Sequence, residues 1–366
     1  MPSRVTDTLW EIPPHTQAKL DILRFYLGAW FPIVASLNSR IVYLDAFAGP
    51  GRYLGGEDGS PVVALKAALE RQQSISARLS AVFLEERKDR KEHLDALIAA
   101  FGYDKLADIG IEQGTFRHDA LRLVDAAVSA AGSSAPLFSF IDPFNWDIPF
   151  SILRRLLAYP MSEVFVNFMF DPVRRFLSAP QQADNWDQLF GTPAWREILD
   201  DADPDSRSRR IPALYRKQLR EAGARHVLAF EMRDARNTTD YYLFFATKSD
   251  KGLLRMKEAM WRVDRSGSYC FRDPKDPNQP LLVGLELGPN FPLLRGHITG
   301  RFGGTVADIE EIERFVLEET AFLPSHLRRP VLAPMEQESP PGLRVVSAKP
   351  GRKRGQFPAG TKSEFP

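Results

Sequence analysis

Apolar residues recur every three or four positions between residues 16 and 37: Leu20, Leu23, Tyr26, Leu27, Trp30 and Ile33. That spacing is the buried stripe of an amphipathic helix. Pro13 and Pro14 precede it, so the residues ahead of the helix are expected as an irregular arm. Beyond Leu37 the pattern changes. Apolar runs of strand length appear at Ile41–Ala46, Ser80–Glu85, Ile109–Gln113, Leu137–Ile141 and Ser162–Met169. Helical patterns lie between them, at Pro61–Gln73, Lys88–Phe101, His118–Ala130 and Phe150–Ala158. Alternating strands and helices predict a parallel sheet covered on both faces. The runs IVYLDAF and PLFSFI are continuously apolar, as strands buried on both faces require.

The rhythm breaks at residues 179–206, a Pro-, Asp- and Trp-rich stretch expected as an insertion over the sheet edge. Arg207–Ala222 is helical again. His226–Arg233 and Tyr241–Lys248 are β-rich and predict an antiparallel hairpin that closes the sheet. Gly252–Trp261 reads as another helix. Residues 263–304 carry many Gly and Pro residues with little periodicity, and are expected as a linker. Val306–Thr320 is a clear amphipathic pattern. Leu323–Glu338 reads as a second helix, shortened or kinked by Pro330 and Pro334. Leu343–Phe365 predicts two strands around PGRKRG. The expected organisation is therefore an N-terminal helical arm (1–40), a Rossmann-like α/β domain (41–262), a linker (263–304) and a winged-helix-like basic domain (305–366).

Composition narrows the class. The chain has 366 residues, 44% hydrophobic and 26% charged, which suits a soluble globular protein. Lys plus Arg is 48 and Asp plus Glu is 47, so total charge points to no partner. No apolar run nears the roughly 18 residues of a membrane span, and MPSRVTDTLW lacks a signal-peptide pattern. A cytoplasmic protein is expected. The single Cys270 excludes an internal disulfide framework. The six histidines have no metal-ligand spacing, and no metal is expected.

The strongest chemical signal is LDAFAGPGRYLGGEDGSP, residues 44–61. An acid at a strand's C-terminal end, Asp45, is followed by Phe47, Gly49 and Gly51. Glycine lets backbone approach a ligand, and open α/β sheets bind ligands at this end of their strands. The third position of a dinucleotide G-x-G-x-x-G is Leu54 here, and no Lys lies within 44–61 to make a P-loop. D-x-F-x-G-x-G instead resembles motif I of class I S-adenosylmethionine-dependent methyltransferases, whose acid and glycine loop hold the amino-acid part of the cofactor. A tight strand-to-helix turn without a ligand is the alternative. Ser60-Pro61 reads as an N-cap followed by proline at the first helical position.

Glu85 and Glu86 end the second strand. A carboxylate there can accept hydrogen bonds from ribose hydroxyls, and Glu85 continues the strand register better; a solvated helix start is the other reading. Gly114-Thr115-Phe116 follows the third strand, where methyltransferases often place an acid against the adenine amino group. Thr115 offers an acceptor without charge, and a plain loop is equally compatible. After the fourth strand, Asp142, Pro143 and Phe144 resemble the D/N-P-P-aromatic motif of amino-methylating nucleic-acid enzymes, with Phe in place of the second Pro. There the oxygens face the target amine and the aromatic stacks on a flipped base. Asn167 and Asp171 complete the rim, with Arg174 and Arg175 either facing phosphate or solvated.

The tail from Gly342 to Pro366 holds six basic residues and one acid, a net +5. Together with Arg328 and Arg329 on the preceding helix, Arg352, Lys353 and Arg354 on the hairpin suit a winged helix touching nucleic acid, DNA or RNA. A solubilising tail is the alternative.

DAFAGPGRYLGGEDGSPVVAL, FLEE, FSFIDPFNW, EVFVNFM and GRKRGQFPAG together resemble the bacterial three-Cys-motif partner proteins. The resemblance runs from the first helix to the basic hairpin. It implies a class I methyltransferase-like fold and S-adenosylmethionine as cofactor. It also implies a partner, a radical S-adenosylmethionine-type protein whose cysteines give the family its name. Three functions compete: a methyltransferase acting on nucleic acid, a non-catalytic nucleic-acid-binding partner of the radical protein, and a hydrolase with Asp142 and Asp171 near a metal.

Overall fold

The computed structural model describes residues 6–71, 76–101, 107–132, 135–234, 236–265, 269–271 and 288–366. Two compact units emerge: Met1–Ala259 with Cys270–Pro280, and Met260–Tyr269 with Leu281–Pro366.

The first unit opens with α1 (Pro14–Ala35). Then β1 (Arg40–Asp45), β2 (Arg78–Glu85), β3 (Ala107–Gln113), β4 (Leu137–Ile141) and β5 (Ser162–Phe168) alternate with α2 (Ser60–Glu70), α3 (Lys88–Phe101), α4 (Phe116–Ala131) and α5 (Phe150–Ala158). After β5 come α6 (Phe170–Phe176), α7 (Ala183–Phe190) and α8 (Pro204–Glu221), then β6 (His226–Arg233), β7 (Thr239–Thr247) and α9 (Asp250–Val263). A short β8 (Cys270–Phe271) pairs parallel with β6. The strand order is β3-β2-β1-β4-β5-β7-β6-β8. β1 to β5 run parallel, and β7 runs antiparallel to both β5 and β6. This is a Rossmann-like α/β sheet, its parallel strands closed by an antiparallel hairpin. The chain reverses its direction of travel across the sheet between β1 and β4, the place where such sheets bind ligands.

The sheet is apolar on both faces because both are covered. Tyr43 on β1 lies in register with Phe138 on β4, and the two rings stack 6.0 Å apart. Tyr26 and Trp30 of α1 close over Phe138 at 5.4 and 5.6 Å. Val42, Leu44, Leu137 and Ile141 point the other way, into a core shared with α4, α5 and Tyr215 of α8. Each fully buried aromatic here contributes about 2–3 kcal/mol from area removed from water.

Two local departures have physical causes. The N-cap of α2 is Gly59, not Ser60. Gly59 passes so close to Gly51 that a Cβ would stand 2.9 Å from the Gly51 carbonyl carbon. The insertion at 179–206 is helical, with 3-10 segments of three residues at Pro180–Gln182 and six at Pro193–Ile198 flanking α7. Its Trp186 is completely buried and Trp195 nearly so, anchoring the segment to the core.

The second unit contains α10 (Phe291–Phe302), β9 (Val306–Asp308), α11 (Ile309–Glu319), α12 (Ala333–Gln337), β10 (Arg344–Ser347) and β11 (Lys362–Glu364). α10 falls inside the stretch expected as linker; residues 266–268 and 272–287 of that stretch, and the last two residues of the helix expected at 61–73, lie outside the described residues. The helix expected from Val306 starts at Ile309 instead. Asp308 accepts a hydrogen bond from the Glu311 amide and caps it, freeing Val306–Asp308 to pair with β11. The helix expected at 323–338 is broken into a 3-10 turn, a π turn at Arg328–Leu332 and α12, as prolines at 324, 330 and 334 demand. The strands form an antiparallel sheet ordered β10-β11-β9. Leu294, Ile298, Ile312, Val316, Leu332 and Phe365 share the core of this unit.

Candidate functional site

β1 ends at Asp45, which is completely buried. Its Oδ1 accepts from the Phe47 amide at 3.3 Å, while Oδ2 has no hydrogen-bond partner. Two residues beyond Phe47 the chain turns through Gly49, at φ +63°, a left-handed conformation that favours glycine. The Gly49 amide donates to Glu85 Oε2 at 2.9 Å and the Arg87 amide to Oε1 at 2.8 Å. Glu85 is buried and Glu86 exposed, so the register argument selects the inward acid.

Electrostatics bring the carboxylates into one neighbourhood. Burial above all raises the Asp45 carboxyl to about 7; the Ser60 hydroxyl and Phe47 amide pull it back, and Asp142 and Glu85 push it up again. Burial likewise raises Glu85, against its two amides and Arg90. Asp45 therefore feels both Glu85 and Asp142, which stand at the carboxyl ends of the strands on either side of β1.

Thr115 is the N-cap of α4 but makes no capping bond; its amide donates to Asp119 at 2.9 Å and its hydroxyl oxygen is buried without a hydrogen bond. Asp142 is held from two sides. Lys19 Nζ lies 2.5 Å from Oδ2 and 2.7 Å from Oδ1, and Asn167 Nδ2 donates to Oδ1 at 2.8 Å. The carboxylate accepts only, so the Asn167 amide nitrogen must face it. That leaves Asn167 Oδ1 buried without a partner. Pro143 is buried, and Phe144 is 52% exposed. Arg174 and Arg175 close on Asp171 at 3.0 and 2.7 Å rather than turning to a phosphate. With Asp142 balanced by Lys19 and Asp171 by two arginines, these acids do not assemble a cation site.

Sequence reasoning missed Lys19, Tyr53, Tyr241 and Trp10. Lys19 sits on the buried stripe of α1 and is 4% exposed. A lysine among Ala18, Leu20, Ile22 and Leu23 was the available signal. The Tyr241 ring lies 5.3 Å from Lys19 Nζ. Burial first, then Asp142, keeps the Tyr53 and Tyr241 hydroxyls protonated far above the ordinary range. No sequence pattern marks either tyrosine.

In the second unit the expected nucleic-acid residues divide. Arg352 pairs with Glu336 at 2.5 Å and its guanidinium lies 5.1 Å from the Phe357 ring, packing the hairpin. Arg354 donates to the Glu336 carbonyl at 2.6 Å, and Arg328 pairs with Glu313 at 2.7 Å. Arg329 and Lys353 are exposed, as are Arg344, Lys349 and Lys362. None of these five has an ion-pair partner among the described residues.

No family model and no curated protein matches the chain. Among solved structures it is similar to an O-methyltransferase from Bacillus cereus in complex with SAH. The identity is 14% and the TM-score 0.34, over 65% of this chain and 83% of that one. It is also similar to a DUF574 family protein from Streptomyces avermitilis, with 14% identity, TM-score 0.35, and 63% and 83% of the two chains covered. A METTL16 methyltransferase domain gives 11% identity and TM-score 0.32, over 62% and 83%. These are loose likenesses of fold and carry nothing about ligands.

Proposed function

We propose that the chain is an S-adenosylmethionine-dependent methyltransferase acting on nucleic acid. One observation carries this reading: Asp45, Glu85 and Asp142 stand at the carboxyl ends of the adjacent strands β1, β2 and β4, beside a glycine turn, with the buried Asp45 Oδ2 and Thr115 hydroxyl left without partners. Asp45 Oδ2 suits the ammonium of the cofactor's amino-acid part, beside the backbone of Gly49 and Gly51. Glu85 suits the ribose hydroxyls, exchanging its bond from the Gly49 amide for them. The unpartnered Thr115 hydroxyl suits the adenine edge. When bound, the cofactor supplies a methyl group already activated on a sulfonium. The chain's own residues then contribute position above all. Asp142, Pro143 and Phe144 present the target, with the exposed Phe144 offering a ring face for stacking.

The nucleic-acid part of the proposal draws support from the second unit. Its order of helix, strand, helix, broken helix and two strands suits a winged helix, and Arg329, Arg344, Lys349 and Lys353 leave it four exposed cations for phosphate. A second reading has one observation in its favour. Asp142 is already engaged by Lys19 and Asn167, so the acid that would face a target amine has little acceptor capacity left. On that reading the chain binds nucleic acid without turnover, as partner of a radical S-adenosylmethionine-type three-Cys-motif protein. Transfer of tritium from methyl-labelled S-adenosylmethionine into total cellular RNA or DNA separates the two. Incorporation that is lost in Asp45→Asn supports the enzyme; cofactor binding without incorporation supports the partner.

A further inference from the structure

The segment ahead of α1 is tied down across the rim of the sheet. The Leu54 amide donates to the Trp10 carbonyl at 2.9 Å, and Thr8 Oγ1 to the Asp89 carboxylate at 2.5 Å. The Arg87 and Arg90 guanidiniums donate to the carbonyls of Thr6 and Asp7 at 2.6 and 3.0 Å. These anchors come from the glycine loop and from the start of α3, directly beyond Glu85. The strap brings one large side chain to the site, the half-buried Trp10. Its ring meets Tyr53 edge-on at 5.4 Å and Phe144 at 5.7 Å, and the Arg90 guanidinium lies 4.5 Å from its centroid. Its Cη2 is 3.9 Å from where a Cβ on Gly49 would stand.

An indole is close to a purine in size, planarity and π character. A guanidinium over the ring and aromatic side chains meeting it in T-shaped contacts are interactions a nucleobase ring can make as well. They surround Trp10 between the glycine turn, which would hold the cofactor, and Phe144, which would meet the target. We propose that the box formed by Tyr53, Arg90 and Phe144 over Gly49 is a nucleobase site, and that Trp10 fills it as an internal stand-in. The strap is thereby autoinhibitory, and a base enters by displacing the indole. The inference deepens the cofactor reading above and rests on it for the identity of the base. The adenine of the cofactor and a flipped base of nucleic acid share the chemistry the box recognises.

Calorimetric titration of the full chain with S-adenosylhomocysteine, adenosine, cytidine and methionine tests this. Trp10→Ala is expected to tighten nucleoside binding by about tenfold, the scale of one desolvated cation–π contact, and to leave methionine unchanged. Arg87→Ala loosens the strap without touching the box and is expected to act in the same direction, more weakly. It decides the matter if Trp10→Ala does not fold. A gain confined to adenosine and S-adenosylhomocysteine assigns the box to the cofactor; equal gains with cytidine assign it to a target base. A gain with nucleosides while no chain takes S-adenosylhomocysteine leaves the base site standing and removes the cofactor reading. Unchanged or weaker binding of every nucleoside in both variants overturns the site.

Discussion

Asp45 is the residue on which the cofactor proposal turns, and its titration is measurable. Its carboxyl is raised to about 7 in the folded chain because it is buried, so near neutrality the empty site is partly protonated. An incoming ammonium favours the charged form, and binding of S-adenosylhomocysteine is therefore expected to strengthen from pH 6 to pH 8 with release of a proton. Titrations in buffers of different ionisation enthalpy count that proton. The same raised value has a sign for stability. The folded state holds the proton more tightly than the unfolded one, so Asp45 costs stability as pH climbs from about 4 to about 7. Asp45→Asn should gain on the native chain across that window, by up to a few kcal/mol, and keep the gain above it. Lys19 makes the complementary case. Lys19→Met strands Asp142 against buried surroundings and is expected to cost about 3 kcal/mol in urea unfolding. Asp45 and Glu85 were legible in the sequence because each ends an apolar run. Lys19 was not, since its partner lies 123 residues away and only the fold brings them together.

At the scale of elements, burial on both faces made β1 and β4 readable as continuously apolar runs. The hairpin was readable too, although the place of β7 between β5 and β6 is set by pairing, not by pattern. The limits of α11 and of the helix after it were less legible. An amphipathic stripe runs on through Val306–Asp308, and only the pairing with β11 shows that these residues are a strand. Single glycines matter most in the β1–α2 connection. Gly59→Ala would drive a Cβ to 2.9 Å from the Gly51 backbone, where no flexible side chain can give way. It is expected to cost about 1–3 kcal/mol, and to weaken S-adenosylhomocysteine binding along with stability, because the displaced loop carries Gly49. A melt that falls while affinity is unchanged would separate the turn from the site.

Over the whole molecule, a near-zero net charge hides an uneven distribution, and the basic C-terminal stretch was visible in the sequence. Which of its residues stay exposed was not. Arg352 and Arg328 find acids on neighbouring elements, while Arg329, Arg344, Lys349 and Lys353 remain exposed. Reversing Arg329 and Lys353 to Glu is therefore expected to weaken duplex binding and flatten its dependence on log salt, by about one unit of slope for each phosphate no longer neutralised. Removing Arg352 should instead lower the melting temperature, since it packs the hairpin. Fluorescence anisotropy across a salt series, with DNA and RNA duplexes in parallel, reads the first effect and names the preferred nucleic acid.

The most direct trial is to titrate native and Trp10→Ala chains calorimetrically with S-adenosylmethionine up to millimolar concentration. Saturable one-to-one heat, stronger in the variant and absent from Asp45→Asn, is what this reading requires. Flat traces from both chains would mean that the acids at the switch point hold no such cofactor.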